Sequence, residues 1–402
     1  MRISIDELIP GMYVGDVFNE RGLLLFSAEA LINDESQIIK LKNHGVSSVF
    51  VIPERGSIPV GNSAPEKFFE HSEFGAGFLN QLQNARKIHA LAVTKLKQSC
   101  KAILKGNSTL SSVITWADGF VEEVLRNPDV FLAVSRMKSS DERLYVHSVN
   151  VSVLVAAAAK LLGYSRDIII ECAIGALLHD IGMLKIPDHI RENGRKLTSA
   201  EFILIKKHPS LGYDLLESSG FPSLAKSVVL QHHERQNGSG YPACLKGAQI
   251  LEYAAICSIA DVYDSLVTPT PYRSPCLPQE ALALIFQGAG EEYPKDLVEA
   301  FTRFLGIYPV SSFVKLESGE MGLVIKNNLG SLLTPSLIIC CDKKGNRLKR
   351  PFVRDLAASR SEAVPVPWRI EMSMNPEMYG VQMDMILAWL SGKPFAENPV
   401  RA

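Results

Sequence analysis

RDIIIECAIGALLHDIG, residues 166–182, decides how the middle of this chain folds. Its apolar run from Ile168 to Leu178 is too short and too interrupted to cross a membrane, so it reads as a buried helix, with Ser165 before it and Gly182 after it as boundary signals. The run ends on His179 and Asp180. Successive helical residues point about 100° apart, so both can ligate only by straddling a metal-filled cleft or by serving different ions. A carboxylate that bridges two ions does this naturally.

Outward from this stretch the helical pattern continues through HSVNVSVLVAAAAKLLG (147–163), TSAEFILIKKHPSLGYDLLESSG (198–220), SLAKSVVLQHHE (223–234) and YAAICSIADVYDSLV (253–267). Each segment is bounded by Gly, Pro, Ser or Thr, which predicts an all-α bundle over 139–290. Residues 79–138 carry apolar positions at helical spacing (Leu82, Ile88, Leu91, Leu96, Ile103), giving one long amphipathic helix and shorter ones, a helical connector. The Pro-, Gly- and Ser-rich stretch 53–78 reads as a linker. Before it, residues 1–52 mix β-rich runs with the helical SQIIKLKNHG (36–45), a small α+β module. From 291 to 402 the pattern turns to strand-like runs, with turns at SGE (318–320) and KKGN (343–346), and then a final helix over 378–392. The expected fold class is therefore multidomain: a central helical bundle, an α+β N-terminal module and a β-rich C-terminal extension.

Composition agrees with a globular chain. Of 402 residues, 47% are hydrophobic and 21% charged, and the length exceeds what one core usually organises. A net charge of -1 gives no general attraction to a nucleic acid polymer or a membrane surface. The seven cysteines are odd in number and never spaced CxxC, so neither a disulfide framework nor a thiolate site is expected, and a reducing cytoplasm fits. No secretory signal is read at the start, and no membrane span is expected.

Five of the nine histidines (His147, His179, His208, His232, His233) fall at or near the ends of helices in the central bundle. A lone histidine on an apolar face is usually structural; five in one domain, several with acidic neighbours, point to a metal site. Imidazole and carboxylate without thiolate suit Fe, Mn, Zn or Ni. Two such ions acidify a shared water and clamp the oxygens of a phosphodiester.

The order of blocks, His147, LLHDIG (177–182), KKHPSLGYDLL (206–216), QHHERQNGSGYP (231–242), IADVYDSL (259–266) and PYR (271–273), resembles the HD-GYP family, bacterial phosphodiesterases of the HD superfamily that hydrolyse cyclic di-GMP. The resemblance covers about 130 residues. It implies metal ligands at His147, His179, Asp180, His208, His232, His233 and Asp261, holding two divalent ions, Fe or Mn, with Asp180 as the bridging catalytic carboxylate. It places Gly240, Tyr241 and Pro242 in a loop beside the substrate, where NGSGYP by itself is only a turn-rich segment. It implies hydrolysis to pGpG, with GMP as the alternative end product, diguanylate cyclase (GGDEF) or adaptor proteins as partners and a homodimer among the assemblies it allows.

Several positions depart from the family. Met183 stands where HDIGK has lysine; Lys185 is the substitute candidate, and a solvated surface lysine is its plain alternative. The family's WDG is Gln236, Asn237, Gly238, and its arginine before PYR is Thr270. Losing a phosphate-binding arginine costs roughly 1.5–3 kcal/mol, which leaves Arg273 as the phosphate candidate, against a surface salt bridge. The glutamate of three-metal members is replaced by Arg143, with Glu142 one residue further from His147, which favours two ions. Asp264, one turn after Asp261, is expected to hold a ligand histidine by hydrogen bond. No role is assigned to His44, His71, His89 or His189. The departures leave two other readings: a catalytically weak HD-GYP scaffold that binds a cyclic dinucleotide or a protein, and a phosphodiesterase for another cyclic nucleotide.

Overall fold

The computed structural model describes residues 2–5, 8, 13–19, 24–32, 38–39, 41–42, 46–51, 74–106, 110–137, 142–191, 195, 197–269, 273–328, 330–357 and 369–381. Strands β1 (Arg2–Ser4), β2 (Tyr13–Asn19), β3 (Leu24–Leu31) and β4 (Val46–Val51) form an antiparallel sheet in the order β1-β4-β2-β3. Ile5, Leu8, Ile32, Ile38, Val46 and Val49 make its own small core. Of the helix expected over 36–45, residues 38–39 and 41–42 are helical and the others lie outside the described residues. So do residue 52 and most of the expected linker, residues 53–73.

Helix α1 (Phe74–Leu104) begins inside that expected linker and spans 31 residues, about 46 Å at 1.5 Å per residue. Its buried stripe runs Leu82, Ala85, His89, Ala92, Leu96, Cys100 and Ile103, the three-to-four spacing of one helix face. Leu91, expected on that face, is 56% exposed, and Ile88 is only partly buried. The inward positions between Leu82 and Leu96 belong instead to Ala85, His89, Ala92 and Val93. Helices α2 (Leu110–Arg126) and α3 (Pro128–Ser135) follow and join the same core as the bundle after them.

That bundle is built on α4 (Arg143–Leu161), where every residue from Ser148 to Ala159 is buried. By length and composition α4 could cross a membrane (mean hydropathy 1.5), but 67% of that window lies inside the protein, as the central helix of a bundle requires. After it come α5 (Arg166–Leu178), α6 (Asp188–Arg191), α7 (Ser199–Ile205), α8 (His208–Glu217), α9 (Ser223–Gln231), α10 (Glu252–Val267), α11 (Pro278–Gln287) and α12 (Lys295–Leu305), of which α5, α10 and α12 pack directly on α4. The helical pattern over 198–220 is therefore two helices. Pro209 has no N–H to donate to the Ile205 carbonyl four residues back, so the ladder breaks between α7 and α8. The C-terminal extension expected from 291 starts later, because Leu297, Val298, Phe301 and Leu305 of α12 belong to the bundle core.

Strands β5 (Phe313–Leu316), β6 (Met321–Lys326), β7 (Ser336–Cys341), β8 (Arg347–Asp355) and β9 (Ile370–Met374) form a second antiparallel sheet in the order β8-β7-β6-β5-β9. Period-two alternation sorts its residues. Phe313, Leu323, Ile325, Ile338 and Cys340 join the helical core, whereas Val314, Leu316, Val324, Leu337 and Ile339 form a cluster with Leu356 on the other face. The expected turns at 318–320 and 343–346 lie between β5 and β6 and between β7 and β8. At the expected final helix, a 3-10 turn over Pro376–Tyr379 closes on left-handed Gly380, and residues 382–402 lie outside the described residues.

Candidate metal centre

Three of the histidines are set by one local rule. The last carbonyls of a helix have no intrahelical donor, and a histidine at the C-terminal boundary can supply one through Nδ1. His179 caps α5 and His232 caps α9, with their Nδ1 atoms 2.7 Å from Ala176 O and 2.8 Å from Val229 O. His208 Nδ1 lies 2.7 Å from Ile205 O, the carbonyl that Pro209 leaves without a donor. With each Nδ1–H committed, each Nε2 presents a lone pair, the tautomer a metal needs.

Those lone pairs converge. His208 Nε2 and His232 Nε2 are 3.2 Å apart, and His179 Nε2 is buried with no hydrogen-bond partner. Facing acceptors are repulsive unless a cation or a proton lies between them. Asp180, in bridge-region backbone (φ -97, ψ 9) just beyond α5, points one oxygen at each half: Oδ1 is 3.2 Å from His208 Nε2, and Oδ2 is 3.4 Å from His179 Nε2. Ligand atoms of Asp180, His208, His232 and His233 lie within 4.8 Å of one another, and so do those of His147, His179 and Asp180. Asp180 is common to both sets. Asp261 on α10 closes the other side, with Oδ1 3.0 Å from His147 Nε2 and Oδ2 3.8 Å from His233 Nδ1. The seven side chains named from the sequence thus meet in one cluster, and its donor set fits two divalent ions.

Charge is balanced inside the cluster. Burial pushes the Asp180 carboxyl up, but His179 and His208 overcome this and hold it well below the usual carboxylate range. Burial and His147 act in the same opposed way on Asp261, with a net downward shift. Burial lowers His147, yet Asp261 and Asp264 raise it well above the ordinary value. Burial and neighbouring histidines keep His232 and His233 well below theirs, hence neutral.

Asp264 Oδ2 accepts from His147 Nδ1 at 2.7 Å. Tyr241 stacks on His233, with ring centroids 4.6 Å apart and planes at 28°, and Lys206 Nζ sits 5.2 Å above the Tyr241 ring. Gly240 is required by close approach: a Cβ there would lie 2.4 Å from Arg235 N and 2.5 Å from His233 O. Lys185 is exposed on the 3-10 turn Ile181–Lys185, and none of the described hydrogen bonds or ion pairs joins it to the cluster. Arg273 is exposed and donates to the Ser265 carbonyl of α10, while Thr270 and Tyr272 lie outside the described residues. Glu142 is held by Lys97 of α1 at 2.5 Å. Asn237 Oδ1 accepts from Ser239 N at 2.9 Å and so shapes the local turn.

Glu234 was not singled out by the sequence. Its buried carboxylate accepts from Ala243 N at 2.7 Å and Leu245 N at 2.9 Å, which ties the Gly240–Tyr241–Pro242 loop to the end of α9. An ionisable residue directly after two clustered histidines was the available signal.

Residues 133–297 match the family described as HD domain. Ahead of that match, residues 1–108 match a domain of unknown function, DUF3391. A stretch of 219 residues is 39% identical to the cyclic di-GMP phosphodiesterase PA4108 of Pseudomonas aeruginosa, covering 54% of this chain and 53% of that one. A cyclic di-GMP phosphodiesterase of Thermotoga maritima is 32% identical over 220 residues, 54% of this chain and 58% of that one. The chain thus spans about half the length of these curated relatives. Among solved structures, Bd1817, an HDG"Y"P protein of Bdellovibrio bacteriovorus, aligns with a TM-score of 0.47 at 18% identity, covering 76% of this chain and 99% of that one.

Proposed function

We propose that this chain is a metal-dependent phosphodiesterase of the HD-GYP type that opens cyclic di-GMP to linear pGpG and carries it on to GMP, in bacterial second-messenger signalling in the cytoplasm. The observation that carries this reading is the placement of Asp180, whose Oδ1 faces His208 Nε2 and whose Oδ2 faces His179 Nε2, and which is common to both groups of candidate ligands. His147, His179, His208, His232, His233, Asp180 and Asp261 would hold two ions, Fe or Mn, and the ions when bound supply Lewis acidity and an acidified water. Helix-end carbonyls orient three of the imidazoles, so little reorganisation is needed on metal binding. Tyr241, stacked over His233, and Lys206 form one wall against which a nucleotide can lie. Diguanylate cyclases, adaptor proteins and a second copy of the chain are the proposed partners.

The test is incubation of metal-loaded protein with cyclic di-GMP and chromatography of the products. Formation of pGpG supports the reading; no turnover by protein shown to contain metal refutes it. A second reading, a weak scaffold that binds the dinucleotide without efficient turnover, is favoured by one observation: half-buried Met183 offers no charge, and Lys185 is exposed to solvent. Met183→Lys separates the two, because a gain in turnover is expected if the missing charge limits an enzyme, and none if the chain is a scaffold.

A further inference from the structure

His89 occupies a position in the apolar stripe of α1 that would ordinarily hold an aliphatic residue, and it is 7% exposed. A buried imidazole needs a partner. Its Nε2 lies 2.8 Å from Asn150 Oδ1 on α4. The amide nitrogen of Asn150 lies 3.1 Å from Asp264 Oδ1 on α10, and Asp264 Oδ2 lies 2.7 Å from His147 Nδ1. His147 Nε2 then faces the metal cluster, 3.0 Å from Asp261 Oδ1. Four side chains on three helices form one unbroken chain of hydrogen bonds.

Its direction is determined at every link. The Asp264 carboxylate only accepts, so Asn150 Nδ2 and His147 Nδ1 both donate to it. Asn150 must then turn Oδ1 towards α1, and His89 Nε2 must donate to it. The inverted amide would set Oδ1 against Asp264. Burial lowers the His89 pKa and the Asn150 bond and Asp264 only partly offset it, so the ring is neutral and holds its one proton on Nε2.

We propose that His89 is a positioning residue for the metal centre, fixing the plane and tautomer of His147 through Asn150 and Asp264. The proposal rests on the reading of His147 as a metal ligand and on no particular substrate. His89 lies within the stretch matching DUF3391, and the other three residues lie in the stretch matching the HD domain, so the chain of bonds crosses from one to the other. Rotation of α1 that withdraws His89 strands Asn150 Oδ1 in the core, where its amide can right itself only by giving up Asp264. The long helix thereby gains a hold on a ligand through two intervening side chains.

The experiment uses the full chain. His89→Leu removes the donor at similar volume, and His89→Gln keeps a nitrogen donor at similar reach. Mn2+ titration by calorimetry is expected to show about tenfold weaker binding for His89→Leu, at the lower end of the range for outer-shell partners, and recovery to within about twofold for His89→Gln. Unchanged binding in His89→Leu, or a deficit in His89→Gln equal to that in His89→Leu, overturns the proposal. If His89→Leu fails to fold, ring 15N shifts of histidine-labelled wild-type protein decide: His89 is expected as the neutral Nε2–H tautomer, and an Nδ1–H tautomer overturns the proposal. His147→Ala tests the ligand reading separately, since full Mn2+ affinity in that variant removes the basis for both. No arm depends on catalysis.

Discussion

Gly182→Ala offers the sharpest test of how the site is assembled. A Cβ added at Gly182 would stand 2.0 Å from the His208 carbonyl oxygen, 2.6 Å from Gly212 N and 2.9 Å from His208 C. All three atoms are backbone, so no side chain can swing away. The turn after Asp180 and the start of α8 must separate by roughly 1.5 Å to reach an ordinary van der Waals contact of about 3.5 Å. Overpacking commonly costs 1–3 kcal/mol and sometimes more, and a backbone-to-backbone clash belongs at the upper end, about 3 kcal/mol. The displaced residue is His208 itself, and sites of this kind tolerate only about 0.5 Å. Gly182→Ala is therefore expected to lower stability in urea by about 3 kcal/mol and to weaken Mn2+ binding by at least about tenfold. Gly119 in α2 is the control: nothing lies within 4 Å of its added Cβ, and Gly119→Ala is expected to stabilise by up to about 1 kcal/mol. Wild-type stability and metal affinity in Gly182→Ala would refute the close-approach argument.

Asp180→Ala is expected to abolish hydrolysis and to empty both halves of the site while the far-ultraviolet spectrum stays helical; retained metal stoichiometry would rule out the shared carboxylate. Glu234→Ala leaves the Ala243 and Leu245 amides without their acceptor, at a cost of about 2–4 kcal/mol. Hydrogen exchange at those two amides should accelerate, and unchanged protection there would show that the loop is held by something else. Burial raises the Asp129 carboxyl to about 6, against the opposing pull of the Asn327 amide and Lys326. Because this folded value lies above the unfolded one, its contribution to stability is complete below about pH 4 and is lost as pH rises through about 6. The advantage of Asp129→Asn in chemical denaturation should therefore grow by roughly 1–2 kcal/mol from about pH 4.5 to 7.5, and an advantage independent of pH would contradict the burial assignment.

The helical centre and its ligand-bearing ends were legible because they depend on local signals. A histidine that ends an apolar run falls where carbonyls lack donors, and this orients His179 and His232 before any tertiary contact is considered. The second sheet was legible for a similar reason, since its turns carry glycines at positive φ (Gly319, φ 90; Gly345, φ 83) between alternating strands. What was missed depends on tertiary choice. Apolar spacing suggested that Leu91 faces inward, whereas the buried face of α1 passes through Ala85, His89 and Ala92 and leaves Leu91 in solvent. Pro209 was available as a helix breaker, but its effect on His208 becomes clear only when the freed Ile205 carbonyl is seen to accept from the imidazole. His89 and Asn150 are 61 residues apart, and no local pattern pairs them. Glu234 serves a loop that folds back from nine and eleven residues away.

The most direct test of the central claim is a single assay on protein purified without oxygen: metal content per chain, measured on the same sample whose products from cyclic di-GMP are then separated. About two Fe or Mn ions per chain together with pGpG formation is the expected result. A full complement of metal with cyclic di-GMP left intact would contradict it.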